Sequence, residues 1–210
     1  MKRTRLVQWL KAWSPLVAVV SIAPLVVAIL GLTACVRHPV GDPEQSKVDP
    51  AYAGVWLTKN TDGEYSLLFL RPYDARTYFS SIFSYRSDNG RLTPTQRMNC
   101  KAWLTAIGGT KFLTLEPLNN EHFAGVGDQP PYLVGKIGLT DDTLHLRFVN
   151  GDQEPVKSAN SSRALEAAIA KNINSDSLYG DEALVFRKAD DKTLVKSVLE
   201  AFRPADTLEW

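Results

Sequence analysis

Two cysteines, three histidines and three runs of carboxylates are the residues of this chain whose types could carry chemistry. The histidines, His38, His122 and His145, lie far apart, and the cysteines, Cys35 and Cys100, form no Cys-x-x-Cys pair. No structural zinc site, other metal site or cofactor site is therefore expected. The chain has no Gly-x-Ser-x-Gly elbow, no Ser-x-x-Lys and no glycine-rich phosphate loop, so the usual hydrolase and nucleotide contexts are missing. A thiol nucleophile needs a base and an activated setting. Asn99-Cys100-Lys101-Ala102-Trp103 leads instead into a strand, and Cys100 reads as buried. Asp141-Asp142 suits a hairpin turn, Asp190-Asp191 a helix cap and Gly180-Asp181-Glu182 a loop before a strand. Asn172, Asn174 and Asp176 alternate, but without the rest of a calcium loop. No catalytic residue emerges, and a non-enzymatic role is the expectation.

That leaves Cys35. It closes an apolar run from Pro15 to Leu32, which follows Lys2, Arg3, Arg5 and Lys11. Leu32-Thr33-Ala34-Cys35 resembles the lipobox of bacterial lipoproteins. The resemblance implies a signal peptide over residues 1–34, cleavage before Cys35 and an acyl lipid such as palmitate there. The partner would be a membrane and the location the bacterial cell envelope. Val36 rather than Asp follows the cysteine, which under the enterobacterial sorting rule points to the outer membrane, facing the periplasm. An uncleaved signal anchor is the rival reading; Pro15, Pro24 and the small-residue-Cys ending favour the signal peptide.

Four of the 24 basic residues and none of the 23 acidic ones fall in residues 1–34, so the remainder is slightly acidic. Such a domain lacks the clustered Lys and Arg that nucleic acid requires. Residues 35–51 are polar, proline-rich and without periodicity, which predicts a disordered tether.

From Tyr52 the pattern is short apolar, β-branched and aromatic runs separated by turn residues. Gly54–Leu57, Glu64–Leu70 and Arg76–Arg86 read as strands. In the third, Phe79, Phe83 and Tyr85 share one face, and Tyr78, Ser80, Ile82 and Ser84 the other. Ser87–Asn99 reads as the longest loop of this region. Lys101–Ile107 and Thr110–Glu116 flank Gly108-Gly109, a type I′ hairpin signal. Pro117–Pro130 is the next loop, and Tyr132–Leu139 and Thr143–Val149 form a second hairpin. After Gly151 the period lengthens: a serine-capped helix spans about 160–173, with Leu165, Ile169 and Ile173 on one face. Ala183–Lys188 is a further strand, and Leu194, Val198 and Phe202 share a face of a terminal helix that Pro204 ends.

The fold class expected is mainly β: an antiparallel barrel of about eight strands, with a helix before the last strand and a C-terminal helix. The barrel occupies residues 52–189, and residues 190–210 form the helix and tail. The last strand seals the edge by pairing with the first strand near Trp56 or with the strand ending at Val149. The helix at 160–173 caps a mouth or lies on the wall.

Strands in this order, with Gly54-Val55-Trp56 in the first, resemble the lipocalin-like plan, in which a Gly-x-Trp packs at the closed end of the barrel. The helix before the last strand departs from it. The segment from Leu144 to Lys188 also resembles uncharacterised small envelope lipoproteins, a resemblance that gives no activity to carry over. The strand aromatics Trp56, Phe69, Phe79, Phe83, Trp103, Phe112 and Tyr132 are candidates to line a cavity for a small apolar ligand or lipid. The competing reading has them fill a small barrel. A module that docks on another envelope protein, through an exposed patch such as Phe202, Leu208 and Trp210, is the alternative role.

Overall fold

The computed structural model describes residues 35–59, 64–88, 91–118, 132–190 and 192–201. Expectations that fall on residues 1–34, His122, Phe202, Pro204, Leu208 or Trp210 lie outside the described residues. The strands are β1 (Cys35–Val36), β2 (Gly54–Lys59), β3 (Glu64–Pro72), β4 (Tyr78–Asp88), β5 (Arg91–Ile107), β6 (Thr110–Pro117), β7 (Tyr132–Thr140), β8 (Thr143–Val149) and β9 (Tyr179–Lys188). The helices are α1 (Glu154–Lys157), α2 (Ser162–Asn172) and α3 (Lys192–Ala201).

Strands β2 to β9 pair antiparallel in chain order, and β9 returns to β2, so eight strands close into a barrel. Closure uses both edges the sequence offered. Trp56 and Leu57 pair with Lys188 and Arg187 on one side of β9, and Thr143–Arg147 pair with it on the other. The β5–β6 turn holds Gly108 and Gly109 at φ of 57° and 82°. Both residues are left-handed, as the tight turn demands.

Side-chain alternation separates two faces of the wall. Inward residues include Trp56, Leu68, Leu70, Tyr78, Cys100 and Ala102, continued by Leu113, Leu115, Ile137, Leu144, Leu146 and Phe186. They form one dry cluster. Gly135 reports its density, since a Cβ there would stand 2.6 Å from Leu146 Cδ1.

The outer face is also covered, twice. Val198 of α3, with Leu194 beside it, lies on Leu67, Phe83 and Tyr85. Leu165 and Ile169 of α2 and Val156 of α1 lie on Ile107, Phe112, Val134 and Val149. Helix α2 therefore lies on the wall. Its N-cap is Ser161, whose hydroxyl accepts a hydrogen bond from Ala164 N. That bond satisfies one of the first-turn donors.

Gly180–Glu182 lies within β9 and not in a loop before it, and two longer segments also differ from the sequence-based expectation. Ser87–Asn99 is no loop. Strands β4 and β5 continue to Asp88 and from Arg91, with a bulge where Tyr85 meets Pro94 and Ser84 meets Gln96. Residues 91–97 are exposed or half-buried, so this ribbon carries polar side chains on both faces. The bulge accommodates Pro94, which cannot donate to a regular ladder.

The second correction concerns residues 35–51, which form a strap on the barrel instead of a disordered tether. β1 pairs with Leu133 and Tyr132 of β7. Val36 and Val40 are buried. The Val40 carbonyl accepts from Trp103 Nε1 at 2.8 Å and Thr114 Oγ1 at 2.9 Å. Ser46 Oγ donates to Leu104 O, and Val48 N to Ala75 O. Backbone groups satisfied in this way hold a polar segment without much apolar burial.

Gly41 follows at φ 73°, and a Cβ there would fall 1.8 Å from Thr105 Oγ1. Gly41→Ala should lift the strap and cost about 1–3 kcal/mol through strain and lost contact. Urea denaturation with proteolysis of the strap checks this, the barrel strands remaining protected.

Candidate functional site

The seven aromatics proposed to line a cavity do not share one. Trp56 alone turns inward, 1 % exposed, its Nε1 donating to Tyr52 O at 3.0 Å. It packs in the inner cluster with Tyr52. Phe69 and Phe83 meet edge to face at 5.4 Å on the outer wall beside α3. Phe79 is 38 % exposed. Trp103 and Tyr132 pack edge to face at 6.4 Å on the outer wall. Phe112 is buried beneath α2. The faces of β4 split as expected, yet the aromatic face is the outer one, and Tyr78, Ser80, Ile82 and Ser84 face inward.

Cys100 lies wholly buried on the inner face, opposite Ser80. Burial, with the nearby Glu116 carboxylate second, pushes its thiol up to about 12. The thiolate that nucleophilic attack requires is thus strongly disfavoured. Native protein at pH 8 should leave Cys100 unlabelled by iodoacetamide, and label it only after unfolding; mass spectrometry of the intact Cys35→Ser chain reads this directly.

Cys35 is half-buried in β1, packed against the inner cluster. Burial raises its thiol to about 11. Among the described residues, no three His, Cys, Asp or Glu side chains converge as metal ligands, and no helix is long and apolar enough to cross a membrane. His145 is exposed on the outer face of β8.

One concavity lies outside the barrel. A groove of about 1220 Å³ runs between the strap (Pro39 to Pro50), Leu104–Ala106 of β5, Lys111 of β6 and the first turns of α2. Its floor is built by the same contacts that seat the strap. Glu166 of α2 accepts from Gly41 N at 2.8 Å, tying helix to strap. Asp42 accepts from Glu44 N and Gln45 Nε2. Lys111 Nζ lies 2.7 Å from Asp49 Oδ2. The acids of the groove are therefore engaged. Among the described residues Lys47 and Arg163 make no ion pair. The groove presents three prolines, short apolar surface and two uncommitted cations. The sequence reading missed it because its floor depends on a segment that looks unstructured.

The hydrogen bond from Lys111, with that from Ala51 N, holds the Asp49 carboxyl below its ordinary range. A depressed carboxyl stabilises the fold above its unfolded pKa, and that contribution is lost as pH falls through the folded one. Acidification through and below the carboxylate range should therefore lower the protection factor of the Ala51 amide, its exchange rate compared with the intrinsic rate at the same pH, before the barrel strands respond. Hydrogen exchange along a descending pH series tests this order.

Comparison with known proteins finds no matching family model, no matching curated protein and no matching solved structure.

Proposed function

We propose that this chain is a cell-envelope lipoprotein, anchored by acyl chains on Cys35. In this reading it is a non-enzymatic interaction module, binding partners on the outer wall of a lipocalin-like barrel. The anchor reading rests on the lipobox-like Leu32–Cys35 and the basic and apolar run before it. Val36 after the cysteine favours the outer membrane, with the barrel in the periplasm. The lipocalin-like plan rests on eight strands closed in chain order and on Gly54-x-Trp56 at the start of the first.

The observation that carries the interaction reading is the packed interior. Its inner face is filled by aliphatic and aromatic side chains, whereas a carrier of apolar ligands needs several hundred cubic ångströms of lumen. The groove beside the strap is open and carries Lys47 and Arg163 without internal counter-charges. It suits an extended, acidic segment of another envelope protein.

Acylation has a local consequence. Cys35 Sγ packs toward the inner cluster, so a lipid on it requires residue 35 to leave β7. β1 is only two residues long, and the hydrogen bonds at the Val40 carbonyl that hold the strap lie beyond it.

Two experiments test the reading. Metabolic labelling with palmitate should mark the wild-type chain and place it in the membrane fraction, and Cys35→Ser should abolish both. A photo-crosslinker at Ala106 should capture one envelope protein, and the pair Lys47→Glu, Arg163→Glu should cut that yield at least tenfold without shifting the melting temperature. Undiminished capture would remove the groove from the interface. A small apolar mass that co-purifies in native mass spectrometry and leaves on denaturation would instead support an interior carrier.

A further inference from the structure

On the outer faces of β7 and β8, three nitrogen-bearing side chains come together. Lys136 and Arg147 are direct register partners in this antiparallel pair. Like charges directly opposite each other are unfavourable in a sheet unless something compensates them. Part of the compensation is visible. Arg147 Nη1 lies 2.8 Å from Asp176 Oδ1, and Arg147 Nε donates to Gly180 O at 3.1 Å. Both cations also stand over the Tyr179 ring, Lys136 Nζ at 5.7 Å and Arg147 Cζ at 5.2 Å.

Two residues along the ladder, His145 pairs with Gly138. A Cβ at Gly138 would meet nothing within 4 Å, so the space above it is open, within a recess that Gly138 helps to line. The recess holds about 380 Å³, and Asn174 stands on its rim. Asp176 is the one carboxylate that lines it, and it is already bound to Arg147. Among the described residues Lys136 and the His145 imidazole have no carboxylate partner, and both offer N–H donors. Three donor-bearing side chains on one sheet face outnumber the two oxygens of a carboxylate and suit the larger oxygen set of a phosphate group.

We infer that the recess between Lys136, His145 and Arg147 binds a phosphate group. The source is either a soluble phosphorylated molecule or a lipid head group.

The test uses the chain without residues 1–34 and with Cys35→Ser, ¹⁵N-labelled, at constant ionic strength. Inorganic phosphate should give saturable amide shifts confined to residues around Lys136, Gly138, His145 and Asn174. Lys136→Gln and His145→Gln, both on the surface, should each weaken the apparent affinity at least fivefold while leaving the melting temperature unchanged. Vesicles of phosphatidylglycerol in phosphatidylcholine identify the source. Capture that phosphate competes away assigns a head group, and saturation by phosphate without capture assigns a soluble ligand. Shifts that do not saturate, that chloride reproduces, or that survive both substitutions would overturn the site.

Discussion

An interior with room only for side chains is the constraint from which the rest of this structure follows. Closing eight strands turns one face of the wall inward, and Leu68, Leu113, Leu115, Leu144, Leu146 and Phe186 fill that space with Trp56 and Tyr52. The close approach at Gly135 leaves no slack even for one methyl group. Everything that varies must then be placed outside. The chain uses the outer wall for two further apolar layers, one under α3 and one under α2 and the strap. The groove beside the strap and the recess on β7 and β8 both lie on the outer surface.

The strap shows how a polar segment can be structural. It buries Val36 and Val40, yet much of its hold comes from hydrogen bonds that place backbone carbonyls and amides on defined partners. Trp103 is central because one side chain supplies both packing area and the donor for Val40 O. The groove exists because this ribbon stands off the wall between its points of attachment, and Lys111 and Glu166 fix its distance.

Much of this barrel can be read in the residues. Period-two alternation in β4, β6 and β8, the paired glycines at 108 and 109, and the capping serine before α2 all act locally, and each leaves its mark in sequence. Closure through β9 was also legible, because an unpaired edge beside β2 would be costly. Which face is the inside was not. With both sides of the wall covered, aromatic content ceases to mark the core: Ser80 and Ser84 point in while Phe83 and Tyr85 point out beneath a helix. The strap and the β4–β5 ribbon were hidden for a related reason. Their order comes from long-range hydrogen bonds and ladder pairing, which composition does not record. Of the candidate site residues, the sequence could nominate the aromatics, but it could not bring Lys47, Lys111 and Arg163 to one groove.

The seam between β2 and β9 has a bearing on how the chain folds. Strand β2 pairs with β3 at once, but its other edge stays open until Lys188 and Arg187 arrive from the far end of the barrel. Pairings so distant in sequence are slow to form, because loop-closure entropy is lost before any contact repays it. A chain made or translocated from its N-terminus would expose the Val55–Leu57 edge almost until completion. Unpaired apolar edges of this kind invite pairing with other chains. The final strand is thus also a kinetic lock: until it closes, the molecule is a sheet with two sticky margins.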